Sequence, residues 1–182
     1  MTGAGPLPPV TLVLGGARSG KSRHAEGLVE RQPGFCIYLA TAEAGDAEMA
    51  ERIRRHQARR GPRWVTVEEP LELAAALKRS ASPAGGVLVD CLTLWLANLL
   101  AARRDAEAEI EGLVATLPAL AGPVVLVSNE VGLGIVPENA LARRFRDHAG
   151  RLHQAVAAAA QAVDLVVAGL PVPVKTAPNP ET

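Results

Sequence analysis

The residues best equipped for chemistry are Gly15-Gly16-Ala17-Arg18-Ser19-Gly20-Lys21-Ser22. They fit G-x-x-x-x-G-K-[ST], follow the apolar run Val10 to Leu14, and open a helical pattern from Arg23 to Arg31. Strand, glycine-rich turn and helix form the context of a phosphate-binding loop. Gly15 and Gly20 permit backbone angles that residues with a Cβ tolerate poorly. Such a turn aims several N–H groups inward at a helix N-terminus, which makes a nest for an anion. Lys21 is placed to reach β- and γ-phosphates, and the Ser22 hydroxyl to ligate Mg²⁺. The expected ligand is a nucleoside triphosphate.

Two more groups stand where phosphate chemistry could use them. Val87-Leu88-Val89-Asp90 is an apolar strand ending in a carboxylate, the loose form of the motif that helps hold Mg²⁺ in phosphate-loop enzymes. Arg52-Ile53-Arg54-Arg55-His56-Gln57-Ala58-Arg59-Arg60 sets one histidine among five arginines. Residue types leave two readings of His56 open. It is either a histidine hydrogen-bonded on a solvated basic helix face, or a nucleophile toward phosphorus. Nearby guanidinium groups keep an imidazole neutral by like-charge repulsion and would stabilise a crowded phosphate during in-line displacement.

Positioning these groups requires strands that alternate with helices. Phe35 to Ala40 is a continuous apolar run of the kind found in parallel sheets covered on both faces, and Thr41-Ala42 follow its end. Asp46 to about Arg60 reads as a helix with Met49, Ile53 and His56 on one face. Trp64 to Val67 reads as a short strand ahead of Glu68, and Leu71 to Arg79 as a helix. Helices are expected over Leu92 to Arg104, which carries Asn98, and from about Ala106 to Leu117. Val124 to Ser128 is a buried strand that delivers Asn129-Glu130. Pro137 suits a helix first turn and Glu138 the positive end of its dipole. That helix is expected to run to about Ala162, with Leu141, Phe145, Ala149, Leu152, Val156 and Val163 as its apolar stripe. Leu165 to Ala168 is a last core strand, and Val172 to Lys175 an edge strand that tolerates proline. The alternation predicts an α/β fold with a mostly parallel, doubly wound sheet in a single domain over 10–175. Residues 1–9 read as a loose tail and 176–182 as disordered. The phosphate loop, Thr41, Asp90 and Asn129-Glu130 all fall at C-terminal strand ends, where open α/β sheets bind ligands.

Bulk properties narrow the class. A chain of 182 residues that is 48% hydrophobic can bury one sizeable core. Net charge is zero and aromatic residues make up 3%, which argues against a nucleic-acid partner. Cys36 and Cys91 lie in or beside apolar runs and read as reduced core residues of a cytoplasmic protein. Two cysteines and four scattered histidines do not offer a zinc site. Met1 to Pro9 lacks the pattern of a signal peptide, and no apolar run approaches a membrane span.

The extended loop Gly15 to Ser22 with Arg23-His24-Ala25-Glu26 resembles the opening of the bifunctional adenosylcobinamide kinase / adenosylcobinamide-phosphate guanylyltransferases of cobalamin assembly. The likeness continues through Arg52-Ile53-x-x-His56, Trp64-x-Thr66-x-Glu68, Asp90-Cys91-Leu92-Thr93 and Asn98-Leu99-Leu100. It ends with Val127-Ser128-Asn129-Glu130-Val131-Gly132-x-Gly134-Ile135-Val136-Pro137-Glu138-Asn139, and so spans Val10 to Lys175. The resemblance implies phosphorylation of adenosylcobinamide with ATP or GTP. It then implies transfer of GMP from GTP, through a guanylylated histidine, to adenosylcobinamide phosphate. By position in the motif His56 matches that histidine. The family's nucleotide contacts fall on Gly15, Gly16, Ala17, Arg18, Ser19, Gly20, Lys21, Ser22, Ala40, Thr41, Ala42, Gln57, Ala58, Arg59, Arg60, Glu68 and Asp90. The resemblance further implies a RecA-like sheet and a homotrimer. Some relatives have Glu where this chain has Asp90, so that carboxylate is left to bind either Mg²⁺ or a ribose hydroxyl. The kinase base is open between Glu130 and Asp90. The rival readings are a small-molecule kinase with a structural His56, and a nucleotide-switched or RecA-like assembly protein. For a guanine switch the chain lacks an Asn-Lys-x-Asp base-reading motif.

Overall fold

A computed structural model describes residues 7–42 and 61–176. The expected helix over Asp46 to Arg60, with His56, Gln57, Ala58, Arg59 and Arg60, lies outside the described residues. So do residues 1–6 and 177–182.

The described chain runs β1 (Val10–Gly15), α1 (Lys21–Glu30), β2 (Cys36–Ala40), β3 (Trp64–Glu68), α2 (Leu73–Ser80), β4 (Gly86–Asp90), α3 (Leu92–Ala101), α4 (Ala106–Thr116), a 3₁₀ turn (Leu117–Ala119), β5 (Val124–Asn129), α5 (Ala140–Ala159), β6 (Ala162–Val167) and β7 (Leu170–Lys175). The strands form one sheet in the order β3-β2-β4-β5-β1-β6-β7. All neighbours are parallel except β6 and β7, which pair antiparallel.

Alternation along the strands explains why both faces must be covered. Leu12, Val89 and Leu126 point to one side, into a core filled by Leu73, Leu77, Trp95, Leu99, Leu113, Leu152 and Val156 from α2 to α5. Val13, Leu88, Val125 and Val127 point to the other, against Ala25 and Val29 of α1. The continuous apolar runs thus serve two cores, which is the doubly wound, two-sided arrangement.

Element ends depart from the sequence reading where side chains intervene. The last long helix starts at Ala140 rather than at Pro137, because the Asn139 carboxamide oxygen accepts from the N–H groups of Leu141 (2.8 Å) and Ala142 (3.1 Å). It stops at Ala159 rather than near Ala162. Gln161 clamps the start of β1, taking the Val10 N–H on its side-chain oxygen (2.9 Å) and giving its own N–H to the Val10 carbonyl (3.0 Å). Val163 therefore belongs to β6 and not to the helix stripe, and Leu141 is 64% exposed. α3 ends at Ala101 rather than Arg104. Arg103 is left-handed (φ 56°), and the N–H groups of Arg103 and Arg104 fold back onto the carbonyls of Leu100 and Leu99.

Candidate functional site

The phosphate loop is built as its sequence demands. Gly15 closes β1 where a Cβ would lie 2.7 Å from the Val166 carbonyl oxygen. Gly20 caps α1 at φ 95°, and a Cβ there would meet the Gly169 Cα at 3.1 Å. Arg18 is also left-handed (φ 57°), while Gly16, Ala17 and Arg18 stand exposed. The Gly169 N–H donates to the Ser19 carbonyl (2.8 Å), so the β6–β7 turn braces the loop from below. Lys21 is buried, 8% exposed, and its Nζ donates to the Gly16 carbonyl (3.2 Å). The side chain thus lies back over the loop it serves, the pose that puts an ammonium beside phosphates in the nest. Ser22 is half-buried in the first turn of α1.

The sheet register aligns the other expected residues. Ala40 is level with Asp90 on one side and with Glu68 on the other, and Gly15 is level with Asn129. Phosphate loop, Ala40, Asp90 and Asn129-Glu130 therefore share the C-terminal edge. Glu68 is exposed on the edge strand. Four strand steps separate β3 from β1, roughly 19 Å at about 4.8 Å each. Glu68 thus stands at the far end of the crevice from the phosphate loop.

Thr41 stands just past the end of β2, as expected, with its side chain turned inward. It is fully buried, and its hydroxyl both donates to the Cys91 carbonyl (2.8 Å) and accepts from the Cys91 N–H (2.9 Å). Its side chain stitches the ends of β2 and β4 together, and its own carbonyl accepts from Asn98 Nδ2 (2.7 Å). Ala42, next along, is half-buried. The Tyr38 phenol donates to Asp90 Oδ2 (2.9 Å), which fixes the carboxylate at the strand end. Asn129 Nδ2 donates to Thr93 Oγ1 (2.9 Å), so that amide is tied to α3. Burial and the Asp90 charge push the Cys91 thiol up, opposed by hydrogen bonds from Thr93 and the Leu94 backbone and by the Lys21 charge. A raised, buried thiol is a core group and not a nucleophile.

Two polar contacts escaped the sequence reading. His24 Nε2 lies 2.7 Å from Asp164 Oδ2, tying α1 to β6 across 140 positions. His153 Nε2 lies 2.7 Å from Ser128 Oγ, and its Nδ1 lies 3.7 Å from Glu130 Oε2. A histidine beside Leu152 on an apolar helix face was the available signal for the second. Only the pairing of α5 with β5 identifies its partners.

Among the described residues no cluster of three or more His, Cys, Asp or Glu side chains could hold a metal ion. Ser22 and Asp90 offer oxygen donors only. That set suits a hard cation such as Mg²⁺, which keeps waters and completes its shell with substrate phosphates.

Comparison with known proteins agrees with this geometry. A family model described as cobinamide kinase / cobinamide phosphate guanyltransferase matches residues 11–174. The chain is 52% identical over 169 residues to a bifunctional adenosylcobalamin biosynthesis protein of Pseudomonas aeruginosa, covering 92% of this chain and 98% of that one. It is 44% identical over 179 residues to a bifunctional adenosylcobalamin biosynthesis protein of Salmonella typhimurium, covering 90% and 98%. In fold alone it resembles the RadB recombinase, with TM-score 0.51, 17% identity, and coverage of 90% of this chain and 76% of that one. The P4 protein of bacteriophage phi6 gives TM-score 0.51 at 17% identity, over 93% of this chain and 55% of that one. The sheet is therefore of the phosphate-loop, RecA-like kind, and the chain belongs to the cobinamide kinase / cobinamide phosphate guanyltransferase family of bifunctional enzymes.

Proposed function

We propose that this enzyme phosphorylates the aminopropanol hydroxyl of adenosylcobinamide with ATP or GTP. It then transfers GMP from GTP to adenosylcobinamide phosphate, giving adenosylcobinamide-GDP, with His56 as the guanylylated residue. The observation that carries the proposal is the finished phosphate loop. Its left-handed Gly20 and its buried Lys21, folded over the Gly16 carbonyl, lie in a chain that the family model matches over residues 11–174.

Each residue has a physical task in this reading. The N–H groups of Gly15 to Ser22 and the Lys21 ammonium bind and orient the triphosphate. Ser22 and Asp90 would hold Mg²⁺, whose chemistry there is charge neutralisation on the phosphates. Ala40, Ala42 and Glu68 line the route of the nucleotide along the strand ends, Thr41 holds that edge together, and Gln57, Ala58, Arg59 and Arg60 add further nucleotide contacts. His56 takes GMP from GTP with release of pyrophosphate, then passes it to the phosphorylated corrinoid. The covalent step divides one nucleotidyl transfer into two displacements. The assembly is a homotrimer working in the cytoplasm. No helix among the described residues is long and apolar enough to cross a membrane.

Incubation with Mg²⁺ and GTP labelled at the α-phosphate tests this. The expected adduct is a phosphoramidate on the His56 peptide: acid-labile, alkali-stable, and discharged by adenosylcobinamide phosphate. His56→Ala loses the adduct and guanylyl transfer but keeps at least part of the kinase activity. Lys21→Ala loses both. Label retained by His56→Ala, or found on the His24 peptide, overturns the assignment.

A further inference from the structure

β5 is inserted between the two strands that carry the phosphate machinery, with β1 and its loop on one side and β4 with Asp90 on the other. Its last residues therefore open onto the middle of the site. Asn129 is engaged with Thr93, which leaves the Glu130 carboxylate. The Glu130 N–H donates to the Gly15 carbonyl (3.0 Å), so this residue is pinned to the first residue of the phosphate loop. Its side chain is 22% exposed. One carboxylate oxygen accepts the Gly132 N–H, and the other faces His153 Nδ1 at 3.7 Å.

His153 is 7% exposed and Ser128 fully buried. Ser128 lies in β5 and Glu130 just past its end, and α5 supplies the imidazole that contacts both. The favourable tautomer keeps Nδ1–H toward the carboxylate and lets Nε2 accept the serine O–H. Burial pushes the His153 imidazole down, against the pull of Glu130, which keeps the ring neutral. At 3.7 Å the neutral ring packs beside the carboxylate and limits where it can turn, with no ion pair between them. Val131, the next residue, joins Leu100, Pro137, Leu141 and Phe145 in lining an apolar cavity of about 560 Å³.

We infer that Glu130 is the general base of the phosphoryl-transfer reaction, and that His153, itself held by Ser128, is its positioning residue. In this step the acceptor O–H proton passes to the Glu130 carboxylate. The acceptor oxygen bonds to the γ-phosphorus as the bond to the β,γ-bridging oxygen breaks, and that electron pair leaves with the nucleoside diphosphate. Asp90 is left to metal or ribose. The inference rests on the kinase half of the proposed function and leaves enzyme guanylylation without a role for Glu130.

The test measures the two half-reactions separately, with adenosylcobinamide and ATP for one and labelled GTP alone for the other. Glu130→Gln should lower kinase kcat about 100-fold or more, with both KM values within about threefold and guanylylation of the enzyme retained. His153→Leu should lower kinase kcat about tenfold to 100-fold through misplacement, and His153→Gln, which keeps an N–H donor, should recover part of it. If Glu130→Gln does not fold, Glu130→Asp carries the test. Its shortened carboxylate should lower kinase kcat about tenfold with guanylylation unchanged. Kinase kcat within about threefold of wild type in the variant that folds overturns the inference. A joint loss of both half-reactions also overturns it, because the carboxylate would then serve the shared nucleotide site. A wild-type enzyme that guanylylates but never phosphorylates the corrinoid defeats the parent reading and this one with it.

Discussion

Gly20→Ala and Gly27→Ala make the same chemical change seven positions apart and should act with opposite sign. At Gly20 the backbone sits at φ 95°, and an added methyl would meet the Gly169 Cα at 3.1 Å, backbone that cannot rotate away. Holding a non-glycine residue in such a conformation costs about 1–3 kcal/mol. The alanine also restricts the unfolded chain, which offsets about 0.4–1 kcal/mol of that. The tight contact adds to the penalty, so the net loss should be about 1–3 kcal/mol. Gly27 lies inside α1, with nothing within 4 Å of an added Cβ. There alanine should gain about 0.5–1 kcal/mol by its helix preference. Urea unfolding of both variants reads the pair directly. Triphosphate binding adds a second reading, since relaxing the Gly20 turn misdirects the N–H groups, and each 1.4 kcal/mol is about tenfold in affinity. Gly27→Ala should bind as wild type does. If Gly20→Ala is as stable as Gly27→Ala and binds nucleotide equally well, the loop does not need its left-handed residue, and the account of the nest is wrong.

Acid stability and the α1–β6 contact give further tests. Burial lowers the His153 pKa, so the folded state binds fewer protons than the unfolded chain from the folded value up to about pH 6.5. Stability should be full above about pH 6.5 and fall as pH drops below it. His153→Gln should flatten that acid slope in urea midpoints taken from about pH 8 to 5, and an unchanged slope would show that another group controls it. His24 and Asp164 are each mostly buried and 2.7 Å apart, so a double-mutant cycle with alanine at both should give a coupling of about 1 kcal/mol. Additive losses would show that the contact contributes no net stability.

The sequence by itself determined the parts whose causes are local. The phosphate loop is eight consecutive residues, and its glycines, lysine and serine sit where backbone angle and phosphate contact need them. The buried strands appeared as apolar runs because a parallel sheet is packed on both faces, and Leu12 and Val13 do enter opposite cores. The family likeness rested on the same short motifs. Some local readings failed because two local signals competed. Pro137 could have opened the last helix, but the Asn139 side chain closed its first turn three residues later. Tertiary structure alone decided the long-range polar pairings. Hydrophobic patterning puts Ser128 at the end of a buried strand and His153 beside the apolar stripe of a helix, but does not tell that they meet across 25 positions or that Glu130 stands beside them. It places His24 on a helix, but Asp164 joins it only because β6 lies beside β1. Strand order is likewise set by how the two cores close over the sheet, which no single segment encodes. That order inserts β5 between the phosphate loop and Asp90. The reason is physical: a directional contact between distant residues exists only after nonspecific burial has chosen which surfaces meet.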